Sequence, residues 1–109
     1  MRPVLMGDVT AAARALLGVR AGARAPLARR LIAEAQLADR HRAHTGRAHP
    51  LHGNGSLMAA ATARHLPPEP PLADAAYLHC LIAVIGALAL RAEAHGARAR
   101  RRRAGGCEG

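Results

Sequence analysis

The sequence predicts an all-α fold, a small bundle of three main helices and one short one, and three observations carry that prediction. Alanine, the strongest helix former, makes up about a quarter of the 109 residues. Apolar residues recur at helical spacing, as Val9, Ala13, Leu16 and Leu17 do. Val, Ile and Thr are few and never alternate with polar residues, so nothing signals a strand. With no Phe, no Trp and the single aromatic Tyr77, the core must be filled by Leu, Ile, Val, Met and Ala. The length fits one domain, read as residues 1–96, with a modest core.

Asp8 reads as the N-cap of a first helix, Val9–Leu17, which Gly18 and the segment RAGARA end. A helix this short is marginal alone and needs a neighbour. Pro26 reads as the first residue of a second helix, where a missing N–H costs nothing. Leu27, Leu31, Ala35 and Ala38 share its inner face, and Gly46 supplies a left-handed cap after His44. A loop follows, and Ser56 then caps a short third helix, Leu57–His65, with Leu57, Met58 and Ala61 inward. The segment LPPEPPLAD cannot continue a helix and reads as a stiff connector.

Asp74 caps a fourth helix, Ala75–His95, which Gly96 ends. It is apolar around most of its circumference, as expected of a central helix enclosed by the others, and Gly86 would let one of them approach closely. If the others are too small to cover it, the excess surface pairs with a second chain, giving a homodimer through residues 75–95. Residues 97–109 show no periodicity and read as a disordered basic tail.

The net charge is +9, with every basic residue an arginine. A GC-rich coding sequence explains arginine and alanine together without any function. Cys80 lies in an apolar run and Cys107 in the tail, so no disulfide framework is read, and the usage fits a reducing compartment. MRPVLMGDV holds no apolar signal-peptide core, and Ala75–Leu90 falls short of the ~20 residues that span a bilayer. The chain reads as soluble and cytoplasmic, with no membrane partner.

Chemistry concentrates in the stretch TGRAHPLHGNGSLMAAA, Thr45–Ala61. Gly53, Asn54, Gly55 and Ser56 lead into a helix start, where outward N–H groups could hold a small anion with Arg47 nearby. The plainer reading is a tight turn with Ser56 capping its own helix. His41, His44, His49 and His52 form two His-x-x-His pairs, but Arg40, Arg42, Arg47 and Arg64 around them repel a cation, so no metal is expected. Arg42, Arg47 and the run Arg100, Arg101, Arg102 and Arg103 suit nucleic-acid phosphates, although no aromatic residues are present to stack on bases. Ser56 with His49 or His52 lacks an acid in the loop to orient the base, so neither an enzyme nor a cofactor is expected.

RPVLMGDVTAAARALL, RRLIAEAQLADRHRAHTGRAHPLHGNGSLMAAA and PPEPPLADAAYLHCL resemble a family of short proteins from Rhodobacter-type alphaproteobacteria, a domain of unknown function, over roughly residues 2–92. The resemblance implies a bacterial cytoplasmic origin, and it makes His52 a packing position, because the family carries an aromatic residue there. The expected function is that of a non-enzymatic interaction or accessory protein contacting another protein through residues 46–56, with Arg47 and His49 pairing to an acidic group and Asn54, Gly55 and Ser56 shaping the surface. The alternatives are a small basic nucleic-acid-associated protein and a small-anion-binding module at Gly53–Ser56.

Overall fold

The computed structural model describes residues 1–107; Glu108 and Gly109, the end of the expected tail, lie outside the described residues. Four helices follow in order: α1 Met6–Leu17, α2 Ala21–Thr45, α3 Leu57–Thr62 and α4 Ala75–Cys107. The described residues contain no strand beyond a single bridge in the loop after α2. The fold is all-α, as predicted.

The central helix is α1, not α4. Val9, Ala11, Ala12, Ala13, Ala15 and Leu16 are all buried, and α1 packs against each of the other three helices. Its alanines present little bulk, so three neighbours can approach one short rod at once. α4 spans 33 residues, about 50 Å at 1.5 Å per residue, and no partner is long enough to enclose it. It buries Tyr77, Cys80, Leu81 and Val84 and leaves Leu78, Ile82, Ile85 and Leu90 exposed. Among the described residues nothing lies within 4 Å of a Cβ placed on Gly86, so the close approach expected there is not seen.

Several boundaries move, each for a local reason. α1 begins at Met6, which makes Asp8 its third helical residue and not its cap. α2 begins at Ala21, so the expected linker forms its opening turns and Pro26 lies inside the helix. Ala and Arg favour helix there, and the Arg24 Nε–H donates to the Leu16 carbonyl at the end of α1 (3.2 Å), fastening the corner. Gly46 caps α2 with φ +72°, as expected. α3 stops at Thr62 and buries Leu57, Ala60 and Ala61, while Met58 turns outward over the first turn of α1, its Cε 2.9 Å from where a Cβ on Gly7 would stand. Asp74 caps α4 through the Tyr77 N–H (2.9 Å).

Gly96 does not end α4. The helix continues to Cys107, correcting the expected disordered stretch for residues 97–107. One interior glycine costs about 1 kcal/mol, and the Ala-Arg sequence around it has high helix propensity. The continuous helix is long and apolar enough, by length and composition, to cross a membrane, with 22% of its apolar window buried. The expected shortfall in length, on which a soluble cytoplasmic chain was argued, therefore does not apply to the helix as folded.

Candidate functional site

The loop 46–56 lies between the end of α2 and the start of α3, and its own sequence folds it tightly. His49 and Gly53 exchange both backbone hydrogen bonds, His49 N–H to Gly53 O (2.8 Å) and Gly53 N–H to His49 O (3.1 Å), closing a small hairpin. Inside it the Leu51 and His52 N–H groups both donate to His49 Nδ1 (3.0 and 3.2 Å). Gly53 and Gly55 adopt φ of +81° and +96°, open to glycine at little cost. Both also lie flush against helices. A Cβ on Gly53 would stand 2.7 Å from Ala59 Cβ, and one on Gly55 would stand 2.8 Å from Asp39 Cα in the α2 backbone.

The start of α3 is filled by the protein's own oxygens. Ser56 Oγ accepts from Ala59 N–H (3.1 Å), Asn54 Oδ1 accepts from Ser56 N–H (3.0 Å), and Asp8 Oδ1 accepts from Met58 N–H (2.9 Å). Asp8 Oδ2 also accepts from Leu5 N–H (2.8 Å). One buried carboxylate thus serves the beginnings of α1 and α3 together, where helix dipoles favour negative charge. Of the N–H groups expected to face outward from Gly53–Ser56, those of Gly53 and Ser56 are paired within the loop, and the anion at the start of α3 is Asp8.

Glu34 on α2 gives the loop a further support that short-range sequence reading misses. Arg64 donates to both of its oxygens through Nη2 (2.8 and 2.9 Å) and through Nη1 to Ala60 O (3.1 Å), tying α2 to α3. His52 Nδ1 stands 3.8 Å from the same carboxylate. Glu34, Asp8 and Asp39 are the carboxylates the loop lacks in sequence, brought in from helices α1 and α2. The periodicity of α2 could have pointed to Glu34, three residues past Leu31 at the edge of the buried face.

The histidines stack without making a metal site. His49 and His52 rings lie 4.7 Å apart at 17°, and His41 meets His49 edge-on at 5.0 Å. No group of three or more His, Cys, Asp or Glu among the described residues is placed to hold a metal. Desolvation among its neighbours, then the nearby His52 and His41, holds His49 below the usual imidazole range. Its Nδ1 must stay unprotonated to accept the two amides, which places the remaining proton on Nε2. Ser56 Oγ is committed to its cap, and no hydrogen bond links it to His49 or His52 among the described residues. Burial pushes the Cys80 thiol up, away from the reactive thiolate.

Of the residues singled out from sequence, His49, Asn54, Gly55 and Ser56 therefore shape the loop from within. Arg47 is exposed, as is Leu51 at the hairpin tip, 71% open to solvent. Arg42 and Arg100–Arg103 are exposed too, the last four along the distal part of α4.

Residues 2–88 match a protein family described as a domain of unknown function, DUF7742. The chain belongs to this family. No curated protein and no solved structure matches it. The DUF7742 match contains the whole loop together with Asp8, Glu34, Asp39 and Arg64, and ends before Arg91 and the arginine run.

Proposed function

We propose that this DUF7742 domain is a non-enzymatic interaction protein whose contact surface is the hairpin tip of the loop 46–56. The observation that carries the reading is the division of labour in the loop: His49, Asn54 and Ser56 spend their polar atoms inside it, while Arg47 and Leu51 remain outward. A surface ordered before binding loses less conformational entropy when a partner docks. An exposed leucine beside a guanidinium suits a protein partner with a small apolar recess and a carboxylate at its edge. The resemblance to Rhodobacter-type alphaproteobacterial proteins supports looking for that partner in such a bacterium, in the cytoplasm.

The test is capture from a lysate of such a bacterium, with nuclease present, comparing the native chain with an Arg47→Ala/Leu51→Asp variant and with a chain lacking residues 97–109. The expected result is a protein retained by the native and shortened chains and lost with the double variant, its binding then reproduced with the purified pair. Capture that needs the arginine run, is abolished by nuclease and ignores the double variant would overturn the reading in favour of nucleic-acid association through Arg42, Arg47 and Arg100–Arg103. Stabilisation of the purified chain by phosphate, lost on Ser56→Ala, would instead favour the small-anion reading.

A further inference from the structure

The open face of α4 carries matching features at equal distances on either side of one glycine. His79, Ile82, Gly86, Ala89 and Glu93 are all exposed and follow one another at spacings of three and four, the seam of a helix that packs along its length on another. Gly86 is its midpoint, and a Cβ there would meet nothing within 4 Å among the described residues. His79 and Glu93 lie seven residues, about two helical turns, to either side of it. Ile82 and Leu90, 65% and 67% exposed, lie four residues to either side. Two copies laid antiparallel, with the twofold axis at Gly86, therefore set each His79 against the partner's Glu93 and each Ile82 against the partner's Leu90. Such an isologous contact is self-complementary, as a twofold interface requires. The glycine at the crossing lets the two backbones approach closely, and a groove of about 310 Å³ between α2 and α4, floored by Ile32, Ala33, Ala87 and Leu90, borders the face where the partner's Ile82 would arrive.

We propose that the protein forms an antiparallel homodimer through α4, centred on Gly86, independently of the loop 46–56. A parallel pair would place Glu93 on Glu93 and His79 on His79, and it loses the hydrogen-bonding match of imidazole to carboxylate. The apolar face is thereby covered by a second copy and not by a bilayer.

The test uses the full chain. Sedimentation equilibrium should give a monomer–dimer equilibrium that shifts at least tenfold toward monomer in Ile82→Glu and in Gly86→Leu, with far-ultraviolet circular dichroism unchanged because both positions are exposed. In a Cys107→Ser background, Gly86→Cys should cross-link to its own copy under mild oxidation. Ile82→Cys alone should not, but should cross-link when mixed with Leu90→Cys. A chain that is monomeric at every concentration overturns the proposal, and one that is monomeric but co-sediments with phosphatidylglycerol vesicles through the same Ile82-dependent face assigns that face to a membrane. A dimer in which Ile82→Cys cross-links to itself overturns the antiparallel register.

Discussion

α1 and α4 are built from much the same residues and end in opposite situations. α1 is twelve residues, a third of them alanine, and is largely buried in the core, whereas α4 is 33 residues with a similar share of alanine, leucine and isoleucine and keeps much of its apolar surface outside. Apolar composition therefore does not say which helix is central. Length does: a short rod can be surrounded by its neighbours along its whole extent, and a rod of 33 residues outruns them.

The largest expected break in this contrast is Leu16→Ala, at a fully buried position of α1. It should cost about 3 kcal/mol by chemical denaturation, where Ile82→Ala on α4 should cost the monomer under about 1 kcal/mol. Glycines extend the comparison. Gly55→Ala forces a side chain into a positive φ and against the α2 backbone, and should destabilise by about 2 kcal/mol. Gly86→Ala adds a methyl to open space on a helix, and should stabilise the folded monomer by up to about 1 kcal/mol in thermal melts. Asp8→Asn keeps the shape of the α1 start but removes the charge that two helix starts share, and should cost about 1 kcal/mol, seen as faster hydrogen exchange at Leu5 and Met58 together.

The smallest effect is set by pH and belongs to the loop alone. His49 is held below its ordinary value in the folded chain, so the unfolded chain takes up the proton first as pH falls. The stabilisation is fully present above about pH 6.5 and is lost as pH falls from there through the folded value. Protection of the Leu51 and His52 amides relative to their intrinsic exchange rates should fall over that range, because both donate to His49 Nδ1, while α1 stays protected.

Local chemistry was legible in the sequence and long-range pairing was not. The caps by Gly46, Ser56 and Asp74 stand where short-range rules put them, because each acts within four residues of itself. The turn within the loop is legible too, since two glycines at positive φ flank Asn54. Its supports were hidden: Glu34 meets Arg64 thirty residues away, and Asp8 meets Met58 fifty residues away, with no local pattern to announce either. Gly96 misled because a glycine ends a helix only when the chain has reason to turn, and the Ala-Arg stretch after it has none.

The Asp8 carboxylate has a practical meaning for anyone handling this protein. Together with the Arg2 N–H, which donates to Gly55 O (2.9 Å), it makes the first eight residues a working component of a loop some fifty positions away. A fusion or trim at the amino end therefore reaches residues 46–56 through Arg2 and the start of α3 through Asp8. An affinity handle joined after residue 97 leaves that loop as it was, so the end chosen for tagging decides which surface of the protein is being assayed.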